Sequence, residues 1–125
     1  FMNTRSISKS GGISTFRSSV VVEKSAKKAK SSVSCQSLML DSESRSDTIP
    51  AMDIRTKDAA VGHEAKIGRI SDDAVFYLMS HGISEQEARS MIVSGFADDV
   101  SKKLPLEYAL EMNNLIQLEM EGSIG

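Results

Sequence analysis

Val61-Gly62-His63-Glu64-Ala65-Lys66-Ile67-Gly68-Arg69-Ile70 divides the chain into two kinds of sequence. Before it lie short segments rich in Ser and Val, separated by polar breaks, as strands are. After it, capping residues and apolar positions at helical spacing recur to the end. The stretch also holds His63, one of only two histidines, with Glu64 beside it. It is therefore the predicted hinge of the architecture and the first place to look for chemistry. The expected class is β plus α, with a β region over residues 1–70 and a helical region over residues 71–125.

Upstream of the hinge, Gly11-Gly12 signals a turn. Ile13 to Glu23 is β-branched and partly alternating, and predicts a strand or two with a bend. Lys24 to Lys30 reads as a connection, Ser32 to Leu40 as a second strand region, and Asp41 to Asp47 as a polar turn. Pro50, which cannot donate to a ladder, is expected at the start of a strand in which Met52 and Ile54 share a face. The four β segments suit either an antiparallel sheet or successive rungs of a parallel β-helix, and periodicity alone does not choose.

Downstream, Ser71 is a good N-cap, and Asp72 and Asp73 suit the positive end of a helix dipole. Gly82 follows as a C-cap, and Ser84 with Glu87 forms a capping box for the next helix. Gly95 is expected to end that helix, with Phe96 to Lys103 forming another short one. Pro105 suits the first position of a last helix over about Leu106 to Glu121, which Gly122 stops. The apolar residues of these helices must be covered by one another, by the β region or by a partner.

The 125 residues have room for one domain or two small modules. The first residue is Phe1, so the chain reads as a piece of a longer protein. A net charge of -2 gives no reason to expect nucleic acid or an anionic membrane as partner, and no apolar run approaches the roughly 20 residues of a membrane span. Residues 1–34 are basic, with Arg5, Lys9, Arg17, Lys24, Lys27, Lys28 and Lys30 against Glu23 alone. A Ser-rich, basic start resembles an organellar transit peptide, but the strand pattern from Ile13 to Glu23 favours a folded region. One cysteine excludes an internal disulfide framework and fits a reducing compartment.

That cysteine, Cys35, is either an inert buried residue or a metal–sulfur ligand, persulfide carrier or nucleophile. His63 and Glu64 are adjacent on a strand, so their side chains point to opposite faces. One can share a face with Cys35 while the other meets solvent or a second subunit. His81, just before Gly82, suits a helix C-terminus, where a cation is favoured. There is no Gly-rich phosphate loop, no Cys-x-x-Cys and no His-Glu-x-x-His. A closed zinc site needs four ligands, which one cysteine and two histidines do not supply. No flanking signature supports a Cys35–His63 hydrolase.

Ser34-Cys35-Gln36-Ser37-Leu38-Met39-Leu40, Val61-Gly62-His63-Glu64-Ala65 and Phe76-Tyr77-Leu78-Met79-Ser80-His81-Gly82-Ile83-Ser84 resemble, in that order, the C-terminal part of the SufB/SufD family. These are scaffold proteins of Suf-type iron–sulfur cluster assembly. Met91-Ile92-Val93-Ser94-Gly95-Phe96, Leu104-Pro105-Leu106-Glu107-Tyr108-Ala109 and the ending Glu119-Met120-Glu121-Gly122-Ser123-Ile124-Gly125 extend the resemblance over nearly the whole chain.

The resemblance implies the last rungs of a right-handed parallel β-helix followed by a C-terminal helical domain. It implies a non-enzymatic scaffold with two partners: an ABC-type ATPase subunit docked on the helices, and a second SufB/SufD scaffold paired through the β-helix. Cys35 matches the family cysteine proposed to hold the nascent cluster, with His63 and Glu64 near the same site. Cys35 and His63 are then the candidate ligands of a transient iron or iron–sulfur cargo. Cys35 favours a SufB-like over a SufD-like chain; the alternative is a SufD-like interaction subunit with no direct ligation. The implied location is the cytoplasm, or an organelle in a eukaryote. Family members are several times longer, so this stretch alone is not expected to build a cluster. Gly62 stands where some relatives carry an acid.

Overall fold

A computed structural model describes residues 1–122 of the chain. They form five strands, β1 (Met2–Ser8), β2 (Ile13–Val22), β3 (Ala29–Met39), β4 (Arg45–Ile54) and β5 (Ala59–Arg69), then three helices, α1 (Asp72–Met79), α2 (Glu85–Ser101) and α3 (Leu106–Glu121). Two compact units result, Phe1–Arg69 and the residues from Ile70 onward.

Every strand pair in the first unit is parallel, which overturns the antiparallel alternative. β1, β3 and β5 make one sheet and β2 and β4 another, so the chain alternates between two sheets as it advances. In register, Cys35 lies opposite Thr4 on β1 and Ala65 on β5, while Thr48 lies opposite Phe16 on β2. Alternation along β2 leaves Ser14, Phe16, Ser18 and Val20 half-buried and their neighbours exposed. The interior is thin: Val22, Val33 and Cys35 are its buried apolar residues, with Ser8 and Ser44 beside them. Hydroxyls tie the inner faces together: Ser6 donates to Ser37 at 2.8 Å within one sheet, and Ser46 donates to Ser37 at 2.7 Å from the other.

β1 is absent from the sequence-based expectation, because Met2–Ser8 has no clean alternation and gains its strand character from pairing with β3. β4 starts at Arg45, inside the expected polar turn, and Pro50 sits mid-strand opposite Ser18. The backbone explains how. Arg45 and Arg55 donate to Gly12 O and Val22 O on the β2 side, so the even-numbered positions of β4, Pro50 among them, face the other edge. There the missing N–H breaks no ladder bond.

Asp41 organises the corner between β3 and β4. Its carboxylate accepts from the backbone N–H groups of Ser10, Glu43 and Ser44 and from the Ser44 hydroxyl. Ser10 holds a left-handed φ of 54°, which places its N–H for this bond.

In the second unit, Ser71 caps α1 through Ala74 N, and Ser84 and Glu87 close a full capping box on α2. Gly82 (φ 85°) and Gly122 (φ 71°) follow α1 and α3 in the left-handed conformation that glycine adopts without strain. Pro105 occupies the N-cap of α3, one position earlier than expected. The expected break at Gly95 does not occur: α2 runs unbroken through it to Ser101, because Val93 and Ala97 on either side are buried and fix the helix. The α2–α3 contact includes Ser90 donating to Gln117 at 2.8 Å and Asn113 to Ser101 at 3.4 Å. No described residue of α3 is buried, and Leu106, Tyr108, Leu110, Leu115 and Leu118 are exposed. Among the described residues no helix is long and apolar enough to cross a membrane.

Two outcomes follow from this packing. A Cβ at Gly95 would meet no atom within 4 Å, so Gly95→Ala should stabilise the chain by about 0.5–1 kcal/mol, read from chemical denaturation. At Asp41, burial pushes the carboxyl up, but the hydrogen bonds from Ser44, Glu43 and Ser10 outweigh it and hold the group below its ordinary value of 3.8. A lowered folded-state value adds stability above the unfolded value, lost as pH falls through the folded one. Asp41→Asn should therefore lower the melting temperature at neutral pH, with a gap to wild type that narrows as acid titrates the carboxylate.

Candidate functional site

Cys35 and His63 meet because two strands run parallel in a fixed register. On β3, Val33 and Cys35 point to the same inner face and are 1% and 4% exposed. His63 lies opposite Val33 on β5, two positions before Ala65, the partner of Cys35. His63 therefore sits diagonally from Cys35 on one face, within reach of a long side chain. Cys35 Sγ and His63 Nε2 are 3.3 Å apart, and the imidazole is half-buried at the edge of the sheet.

A thiol and an imidazole at this distance are within hydrogen-bond reach. The imidazole tautomer decides which of Sγ and Nε2 donates. Thiolate and imidazole are both soft or borderline donors, suited to iron, zinc and iron–sulfur species. The pair supplies two donors. Among the described residues no cluster of three or more His, Cys, Asp or Glu side chains gathers to hold a metal. A four-coordinate centre here needs donors from another chain, from the cargo itself or from residues outside this sequence.

Glu64 turns the other way. It lies opposite Ser34 on the outer face of the sheet, exposed and paired with Lys66 at 3.2 Å. His81 belongs to the end of α1, where its Nδ1 lies 2.9 Å from Tyr77 O and its ring packs 4.6 Å from the Tyr77 ring. Sequence reasoning missed the interior hydroxyls around Cys35. Ser37 is two residues from Cys35, and Ser46 and Thr48 are two apart on β4. That period-2 spacing of small polar residues was the available signal.

Comparison with known proteins gives a consistent result. The SUF system FeS cluster assembly SufBD core domain matches residues 2–96. Over 122 residues, 98% of this chain, the sequence is 51% identical to the iron-sulfur cluster assembly SufBD family protein of Staphylococcus saprophyticus, covering 26% of that protein. It is 48% identical over the same share to the corresponding proteins of Mycobacterium tuberculosis and Mycobacterium leprae, covering 14% of each. The chain thus spans about a quarter of the length of the first of these relatives and about a seventh of the other two.

The Glu64–Lys66 pair is exposed on both sides, at 62% and 65%, and such pairs contribute little. Glu64→Gln should change the unfolding free energy by less than about 0.5 kcal/mol, and should leave the Cys35–His63 pairing intact by NMR.

Proposed function

This chain belongs to the SufBD family of iron–sulfur cluster assembly proteins, and we propose that its part there is that of a scaffold segment, SufB-like, which holds or receives sulfur and iron at Cys35. The observation that carries this reading is the 3.3 Å approach of Cys35 Sγ to His63 Nε2 across neighbouring parallel strands. An inert core cysteine needs no such partner. His63 would take the thiol proton as sulfur or iron arrives and then act as the neighbouring ligand. The cluster is cargo rather than a resident group, so an incomplete donor set suits transfer.

On this reading the alternating parallel sheets are the last turns of a right-handed β-helix. The β5 edge, with its unpaired backbone groups, would pair with a second SufB/SufD scaffold, bringing further donors toward Cys35. Glu64 on the outer face would meet that partner or solvent. The exposed leucines and Tyr108 of α3 would dock an ABC-type ATPase subunit. The scaffold itself would catalyse no reaction, and would work without nucleic acid or membrane, in the cytoplasm or in an organelle. The SufD-like alternative keeps both docking surfaces and gives Cys35 no ligand role.

The test uses the full-length scaffold, reconstituted anaerobically with iron and sulfide. Cys35→Ser should abolish most of the visible cluster absorption, and an undiminished band would favour the SufD-like reading. In the same protein, deletion of 71–125 should end co-purification with the ATPase subunit; retained binding would reduce the helices to a cap on the β-helix.

A further inference from the structure

The interior around Cys35 contains a hydroxyl that the fold itself does not use. β3 and β4 belong to different sheets and are joined by residues 40–44 alone. The Ser46–Ser37 hydrogen bond fixes which residues face each other at the turn end. Side chains repeat on one face every second residue. One step deeper from Ser37 is therefore Cys35, and one step deeper from Ser46 is Thr48. The same level is flanked by Thr4 and Ala65 on the Cys35 sheet and by Phe16 on the Thr48 sheet.

Thr48 Oγ1 is buried and has no hydrogen-bond partner. Ser6, Ser37 and Ser46, one level away, satisfy one another. A buried hydroxyl without a partner destabilises a fold, and a valine of the same shape would avoid that penalty. By the strand alternation, this unpartnered hydroxyl stands at the level that carries the one thiol of the chain.

We infer that Thr48 is a positioning residue for sulfur carried on Cys35: its hydroxyl is the donor that meets the terminal sulfur of a Cys35 persulfide. The inference rests on the reading of Cys35 as a sulfur acceptor. The bare thiol, engaged with His63 Nε2, leaves Thr48 without a partner. A persulfide extends the side chain by one atom and ends in an anionic sulfur. That anion accepts hydrogen bonds more strongly than a thiol does. Between His63 and Thr48 it would have a polar neighbour from each sheet.

The experiment loads Cys35 with polysulfide, whose terminal sulfur passes to the thiolate and leaves a polysulfide shorter by one atom. Wild type, Thr48→Val and Thr48→Ser are compared in two ways. Before loading, Thr48→Val should be as stable as wild type or more so, since it removes only an unsatisfied group; a clear loss of stability would show that the hydroxyl has a structural partner and would overturn the inference. After loading, the Thr48→Val persulfide should be lost to a thiol reductant about tenfold faster than the wild-type persulfide, with Thr48→Ser restoring most of its lifetime. Equal lifetimes in wild type and Thr48→Val would overturn the role of Thr48 and leave the scaffold reading intact. A wild-type chain that takes up no sulfur at Cys35 would instead overturn the scaffold reading, and the inference with it.

Discussion

The parallel register between β3 and β5 is the constraint on which the rest of the β unit depends. Pairing Val33 with His63 puts the imidazole on the same face as Cys35 and one diagonal away. A slip of one residue would turn His63 outward and bring Glu64 in, exchanging a soft donor for a hard one beside the thiol. Register is held in part from a distance. The Asp41 corner sets where β4 leaves β3, and the Ser6–Ser37–Ser46 bonds lock the inner faces at the same end. The approach of His63 to Cys35 thus rests on turn geometry several residues away.

The two units solve the problem of little apolar material differently. The β unit buries few apolar residues and relies on continuous backbone ladders with interior hydroxyl bonds. The helical unit buries small residues, Ala88, Val93 and Ala97, along α2 and leaves the larger apolar side chains of α3 outside. The polar contacts of α3 with α2 run through Asn113 and Gln117 of α3 to Ser101 and Ser90 of α2, while the leucines of α3 stay exposed.

Much of this was legible in the sequence wherever a single residue type has one strong physical use. Ser71, Ser84 with Glu87, Gly82 and Gly122 marked helix ends because their caps are local chemistry. The change from strand to helix near Ile70 was visible in the same way. What was not legible depended on partners remote in sequence. β1 is a strand because β3 lies beside it, and Gly95 stays helical because Val93 and Ala97 are buried. Pro50 is tolerated because of the direction its nitrogen faces. At the site, the opposite facing of His63 and Glu64 followed from alternation alone. Which of them joins Cys35 required the register, and Thr48 required the facing of two sheets.

Pro50 also gives the open end of the β unit a polarity. β5 ends its sheet with eleven residues, none of them proline, and a strand added there can be bonded along its whole length. The free edge of β4 has a gap in its donors at mid-strand, so a strand laid there would lose a bond at its centre. One sheet can therefore be extended and the other resists extension. A chain that added strands at this end would find a full set of backbone partners along one sheet and an interrupted set along the other, which disfavours stacking on both sheets into an open fibre.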